Sequence, residues 1–262
     1  SKNNKYALTL VDMKKIGLIP CRLESTRLPN KPIELIENIP MFAHVYYRSE
    51  YTDLDEVYIC TDSKEIMKIS EDLKINSILT KSEHTNGTER CAEASSILGL
   101  SKKDIIVDIQ GDEPLLNPED VNKLISFFNP EVHDIVLGYL LAEEKNNINT
   151  VKLVTDDEHQ VLFFSRLDIP SNFRKETPLK KQVGLVAFTI DSIQKFSNSQ
   201  PTNLELTEGV ELLRAIELDL KMFGVELDYE TKSVDTEDDL DYVRKNINSD
   251  KLFKKYKNRE VN

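Results

Sequence analysis

Along the first half of the chain, short apolar runs alternate with stretches whose apolar residues return every third or fourth position. Ile16–Pro20 predicts a strand, and a helix follows near Met41–Glu50. Val57–Cys60 is a second strand, followed by a helix over Ser63–Leu73 and a short strand at Ser77–Leu79. Thr88–Leu98 is helical, Ile105–Ile109 is a nearly continuous buried strand, and Pro118–Phe128 is helical again. Strands that are apolar throughout and separated by helices predict an α/β fold, with a mainly parallel sheet covered on both faces.

From about residue 134 the rhythm changes. Ile135–Leu141, Thr150–Val154, Val161–Ser165 and Gln182–Thr189 read as strands separated by polar insertions. Val210, Leu213, Ile216 and Leu220 recur at helical spacing and predict one long helix over Leu204–Phe223. Glu237–Asn246 reads as a last helix, capped by Thr236 or Asp235. The lysine-rich stretch after Lys251, a basic tail over 251–262, reads as a solvated end rather than a binding patch. No internal repeat or low-complexity linker divides the chain.

Composition narrows the class. The 262 residues suffice for one large domain or two small ones, and 39% hydrophobic with 31% charged residues describes a soluble globular protein. No apolar run approaches the roughly 20 residues that span a bilayer, and no signal-peptide pattern opens the chain, so a cytoplasmic location is expected. Residues 1–14, which open on Ser1, are expected to be a leader, disordered or artificial, with Tyr6–Val11 as a strand candidate. Cys21, Cys60 and Cys91 share no metal spacing and read as reduced thiols. Cys91, beside Arg90, is a candidate catalytic thiol, but a small buried filler is the favoured reading. The net charge of −12 argues against nucleic-acid binding, so an anionic ligand must be held by a local cluster of cations.

Such a cluster follows the first strand. Arg22, Arg27 and Lys31 lie just past its end, with Ser25, Thr26 and two prolines among them. In open α/β sheets ligands collect beyond the carboxyl ends of strands, arginine grips phosphate bidentately, and lysine adds a point charge. A phosphate site is therefore favoured over a solvated basic loop. Asn86–Arg90 opens a helix, where free amides can meet an anion or a base edge, though a capped helix without a ligand is as good a reading. Gln110–Gly111–Asp112–Glu113–Pro114 ends an apolar strand in two carboxylates, which suits either a turn or Mg²⁺ held beside substrate phosphates. Ser233–Leu240 is a good helix start, and Asp235 is a second metal ligand only if folding brings it to Asp112. The four histidines show no ligand spacing, and neither Gly-x-x-x-x-Gly-Lys-Ser/Thr nor Gly-x-Gly-x-x-Gly occurs.

Taken in order, these motifs resemble the cytidylyltransferases that make CMP-activated 3-deoxy-manno-octulosonic acid (Kdo), the CMP-Kdo synthetases. The likeness runs from about 15 to 246. It includes Pro20-x-Arg22, Ser25-Thr26-Arg27-Leu28-Pro29-x-Lys31-Pro32, Thr61-Asp62 and His84-x-x-Gly87-Thr88-Glu89-Arg90. It continues through Gln110-Gly111-Asp112-Glu113-Pro114, Val151-Lys152-Leu153-Val154 and Phe164-Ser165-Arg166-x-x-Ile169-Pro170. Leu204-Glu205, Glu211-x-x-Arg214 and Val234-Asp235-Thr236 close it.

The resemblance implies a Rossmann-like nucleotidyltransferase fold in one domain over 15–250, with a nucleotide part (15–130) and an acceptor and dimerisation part (131–250). It implies CTP as donor, Mg²⁺, an acidic sugar acceptor and a homodimer. Arg22, Ser25, Arg27 and Lys31 would hold the triphosphate, with Gly87, Thr88, Arg90 and Gln110 around the nucleotide. Asp112 and Asp235 would be the metal ligands, and Arg22, Lys31 and Asp112 the catalytic groups. Gln110, Arg166, Gln182, Val186, Glu211 and Leu212 would face the acceptor. The anomeric hydroxyl would attack the α-phosphorus and pyrophosphate would leave; no protein general base stands out, which makes a metal-activated hydroxyl the simpler route.

The acceptor side departs from the family pattern. Kdo enzymes carry His-x-Gly-x-Tyr where this chain has Gln182-Val183-Gly184-Leu185-Val186, and Glu-Gln where it has Glu211-Leu212. Asn86 stands in place of a serine, a milder change. A modified Kdo or another ulosonic acid is thus expected to fit as well as Kdo. The alternatives are a nucleotidyltransferase with a non-Kdo acceptor and a CTP-binding protein without catalysis.

Overall fold

The computed structural model describes residues 13–23 and 28–259. Ser25 and Arg27 of the cationic loop, and the strand candidate Tyr6–Val11, lie outside the described residues.

Strands β1 (Lys15–Cys21), β4 (Glu56–Thr61), β5 (Ser77–Leu79), β6 (Ile105–Ile109), β7 (Ile135–Leu141), β10 (Lys180–Thr189) and β11 (Met222–Glu226) form the spine of one nine-stranded sheet. Their order is β11-β7-β10-β6-β1-β4-β5. The joins β1–β4, β1–β6, β4–β5 and β11–β7 are parallel, whereas β10 runs antiparallel to both of its neighbours. Strands β8 (Lys152–Thr155) and β9 (Val161–Ser165) extend from β10 as a side branch. A small hairpin, β2 (Leu35–Ile36) with β3 (Ile39–Pro40), stands apart.

Alternation along each strand divides the core into two layers. Ile19, Ile105, Val107 and Ile109 face one layer, closed by α1 (Met41–Ser49), α2 (Lys64–Asp72), α4 (Pro118–Phe127) and α8 (Glu237–Asn246). Ile16, Leu18 and Ile106 face the other, closed by α3 (Gly87–Ile97), α5 (Ile190–Ser197) and α7 (Leu212–Glu217). On β6 this second layer also receives Asp108, a carboxyl only 2% exposed, at a position where the alternation calls for an apolar side chain.

Three expectations need correction. The predicted long helix over Leu204–Phe223 is α6 (Asn203–Glu208), then α7, then β11. Gly209 ends α6 in the left-handed region (φ 63°), and Asp219 turns the chain again (φ 61°). The apolar spacing survives because the buried Arg214 on α7 reaches back to Glu205 on α6 with two bonds of 2.7 and 2.5 Å, holding the broken helix to one face. The lysine-rich stretch is not a free end: in α9 (Phe253–Tyr256) both aromatics are buried, and His44 Nδ1 lies 3.0 Å from Tyr256 Oη. Finally, Met13 packs on the core and the Lys14 carbonyl accepts from Ile105 N–H, so the last two residues of the expected leader belong to the fold.

Candidate active site

Because β1 and β6 are adjacent and parallel, their carboxyl ends open side by side, and the loops beyond them face each other. Between these loops lies a cavity of about 310 Å³. Arg22 and Lys31 enter it from the first loop, Gly87 and Arg90 from the start of α3, Gln110 and Asp112 from the end of β6, and Asp235 from the approach to α8. Lys31 sits in a single 3₁₀ turn, Lys31–Ile33, set by Pro32 and by Asn30 in the left-handed region (φ 57°). Its Nζ donates to Asp112 Oδ2 at 2.7 Å and to Asp235 Oδ1 at 3.3 Å. Two devices deliver Asp235. Val234 N–H donates to the Asp112 carbonyl at 2.9 Å, and Thr236 and Asp239 form a reciprocal capping box at the start of α8.

Arg90 is braced rather than free: it bonds Thr80 Oγ1 at 2.6 Å and the Lys81 carbonyl at 3.2 Å and pairs with Asp62 at 3.2 Å. It therefore ties the Thr61-Asp62 motif to α3. All three cysteines are buried and burial raises their thiol pKa values, so Cys91 is the small filler that the bland reading favoured.

A second cavity of about 680 Å³ adjoins the first, and Asp235 lines both. Gln182, Gly184 and Glu211 line it, as do Glu113, Lys181 and Lys232. Gly184 is required there, since a Cβ would stand 2.5 Å from Gln110 Cγ and 3.0 Å from Glu113 Oε1. Glu113 accepts from Thr231 Oγ1 at 2.9 Å and Ser233 Oγ at 3.2 Å; burial and the Asp112 charge push its pKa up to about 7. Lys181 is paired with Glu230 at 2.5 Å and Lys232 with Asp239 at 2.7 Å. The amide oxygen of Gln182 is buried without a hydrogen-bond partner among the described residues.

The remaining residues expected in the site lie elsewhere. Val186 is 7% exposed and Leu212 2% exposed, both in the second core layer and neither on the cavity wall. A register shift in β10 between Gln182 and Val186 separates them, leaving Gln182 at the cavity while Val186 pairs with Asp108 and Leu137 inside the sheet. Arg166 does not line the cavity either. Its guanidinium donates to the carbonyls of Ile148, Glu208 and Gly209 at 2.9–3.1 Å, and so caps the end of α6. Lys152 performs a similar stitch, donating to the carbonyls of Asn147, Thr150 and Arg166. Thr88 is buried beneath the first cavity, with its hydroxyl 3.1 Å from Glu211 Oε1 and 3.4 Å from Asp108 Oδ2.

The donor set fits a hard divalent cation. Asp112 and Asp235 already converge on one positive charge, the Lys31 ammonium. No cluster of three or more histidine, cysteine or carboxylate ligands occurs among the described residues. Two carboxylates, with substrate phosphates and water completing the shell, is how Mg²⁺ is commonly held.

A fold and a strand-end pocket of this kind define a nucleotidyltransferase. The family model for cytidylyltransferases matches residues 16–222, and the chain belongs to that family. It is 34% identical, over 85% of its own length and 95% of the relative's, to a 3-deoxy-manno-octulosonate cytidylyltransferase of a Nitratiruptor species. It is 35% identical, over 85% and 94%, to an 8-amino-3,8-dideoxy-manno-octulosonate cytidylyltransferase of Shewanella piezotolerans. A solved structure of CMP:2-keto-3-deoxy-manno-octonic acid synthetase complexed with CTP superposes with a TM-score of 0.85 at 29% identity, covering 90% of this chain and 99% of that one.

Proposed function

We propose that this protein transfers CMP from CTP to the anomeric hydroxyl of a Kdo-like 2-keto-3-deoxy sugar acid and releases pyrophosphate. The observation that carries the reading is the meeting of Lys31, Asp112 and Asp235, from three distant parts of the sequence, in the first cavity, where Asp235 also borders the second. The first cavity suits the nucleotide, with Arg22 and Lys31 toward the triphosphate and Gly87, Arg90 and Gln110 around the rest. Ser25 and Arg27 share the triphosphate role. The second suits the sugar acid.

In the reaction the anomeric hydroxyl oxygen of the sugar acid forms a bond to the α-phosphorus and gives up its proton to water, while the bond from that phosphorus to the bridging oxygen breaks and its electron pair leaves with pyrophosphate. Both partners are anionic, so the site must hold them in line against their repulsion. Lys31 and Arg22 offset charge building on the departing pyrophosphate. Asp112 and Asp235 would hold Mg²⁺, which supplies further neutralisation of the phosphate charge when bound. Within one domain, residues 15–130 supply most of the nucleotide side and 131–250 most of the acceptor side, except that Asp235 enters the first cavity and Glu113 the second, while Met13, Phe253 and Tyr256 pack on the same core. The working form is a cytoplasmic homodimer, with no part for nucleic acid or membrane. No helix among the described residues is long and apolar enough to cross a bilayer.

A modified acceptor is the second reading, and one observation favours it. Six carboxylates line the second cavity against two lysines, and both lysines are already paired. An acid bearing an amino group would meet that field better than Kdo itself. Pyrophosphate release, measured with CTP, Mg²⁺ and either Kdo or 8-amino-3,8-dideoxy-manno-octulosonate, tests both readings. The ratio of the two kcat/KM values decides between acceptors, and no turnover with any 2-keto sugar acid would sink the proposal. Should CTP raise the melting temperature while no acceptor is ever consumed, the protein binds nucleotide without catalysis.

A further inference from the structure

The Thr88 hydroxyl lies between two carboxyl groups, Asp108 and Glu211, within hydrogen-bonding distance of each. A hydroxyl has one hydrogen and can donate to only one of them. If both groups were ionised, one carboxylate oxygen would face a lone pair in the protein interior. The arrangement is satisfied when one carboxyl carries a proton and donates it to Thr88, which donates in turn to the other. Position decides which one. Asp108 is 2% exposed and is flanked on the sheet by Leu18 and Val186, whereas Glu211 reaches the wall of the second cavity. The other oxygen of Asp108 accepts from Gln110 Nε2 at 3.1 Å, so this carboxyl also fixes which way the Gln110 amide faces in the first cavity.

We infer that Asp108 is a positioning residue that works as a neutral acid. It donates through Thr88 to Glu211 and accepts from Gln110, and so orients one side chain in each cavity. The inference rests on the reading of those cavities as nucleotide and acceptor sites. The negative charge of the pair is thereby kept on Glu211, at the acceptor wall.

The surroundings support this. Burial first, and then the Glu211 charge, push the Asp108 pKa up to about 8 against hydrogen bonds from Thr88 and Cys91, which lower it. Burial raises the Glu211 pKa too, but there the Thr88 hydrogen bond and the Arg214 charge oppose the rise. The titratable groups facing it are Glu211 ahead of α7, Cys91 on α3 and Cys60 on β4; Leu18 on β1 and Val186 on β10 bring no charge. Because the folded pKa lies above the usual 3.8, the contribution to stability is complete below pH 3.8 and is lost as pH rises through about 8.

The test uses Asp108→Asn and Asp108→Leu in the full chain. Asparagine keeps both an acceptor for Gln110 and a donor for Thr88 and cannot ionise. The wild type is expected to lose rate above pH 8, and Asp108→Asn to keep kcat/KM for the acceptor near wild type at pH 7 and to abolish that fall. Asp108→Leu, which leaves Gln110 and Thr88 unpaired, is expected to lose about tenfold or more at every pH. Two further readouts need no turnover. The infrared difference spectrum between the wild type and Asp108→Asn should show the loss of one protonated-carboxyl component, Glu113 keeping its own, and the melting temperature of this variant should fall less than that of the wild type between pH 6 and pH 9 (roughly the window of the raised pKa). A folded but inactive Asp108→Asn, an unchanged alkaline limb, or an infrared difference spectrum without the loss of a protonated-carboxyl component would each overturn the inference. Absence of turnover in the wild type, with that component lost in Asp108→Asn, would instead count against the catalytic reading alone.

Discussion

Lys31 carries the charge that Asp112 and Asp235 share, so its removal leaves two carboxylates in the first cavity without the cation between them. Lys31→Met is expected to lower kcat/KM by about 10²–10³-fold, as loss of a group that meets charge developing in the transition state does. It should also erase the rise in melting temperature caused by CTP. Asp112→Asn should cost about 10²-fold in rate and weaken the response to added Mg²⁺; undiminished activity would refute the metal assignment. At this scale the sequence was legible wherever a motif joined charge to a strand end: Arg22, Lys31, Gln110, Asp112 and Asp235 all line the first cavity. It misled at Val186, Leu212 and Arg166, because the family pattern marks positions without saying whether a side chain faces a cavity or the core. Thr231, Lys181 and Lys232 carry no motif, and only their place on the second wall marks them.

Among the elements, α6 and α8 each depend on a local device beside the site. Gly209, with φ 63°, gives α6 a left-handed end on the wall of the second cavity. Gly209→Ala should cost about 1 kcal/mol in urea unfolding, and Gly209→Asn less, since asparagine tolerates this conformation better. Thr236→Ala removes the capping box of α8 and should also cost about 1 kcal/mol. Because Asp235 immediately precedes this cap, the variant should raise the KM for CTP as well as lower the midpoint. Long, strongly patterned elements were legible in the sequence: β6 and β7 run over the residues expected for them, as does α8. The helix predicted over 204–223 failed because apolar spacing alone does not reveal a left-handed glycine or an arginine that bridges a break.

For the whole molecule, the C-terminal segment closes the first core layer through Phe253 and Tyr256. Tyr256→Ala should destabilise by about 3 kcal/mol. His44 beneath it lies 2.8 Å from the Ile36 carbonyl, and burial lowers its pKa from 6.5 to about 4. The folded protein binds fewer protons than the unfolded chain in that interval. Stability is therefore full above pH 6.5 and is lost as pH falls toward 4, by on the order of 3 kcal/mol for this group. Because the raised pKa values of Asp108 and Glu113 act with the opposite sign over the same interval, the check is the difference in thermal midpoint between the wild type and His44→Gln; a difference that does not change with pH would show that His44 is not held neutral.

The alternation of apolar strands and helices, read from the sequence by itself, determined the α/β class. The order of charged motifs determined the cytidylyltransferase resemblance, because strand-end loops keep their place in the chain whatever else varies. The tertiary structure alone decided that Asp235 meets Asp112 across Lys31, since that contact spans most of the chain and depends on how the last helix is docked. It alone decided that Gln182 faces a cavity while Val186 faces the core, since one register shift in β10 separates them. It also placed Asp108, one more acidic residue in an acidic sequence, between two apolar strands, where burial favours the protonated carboxyl.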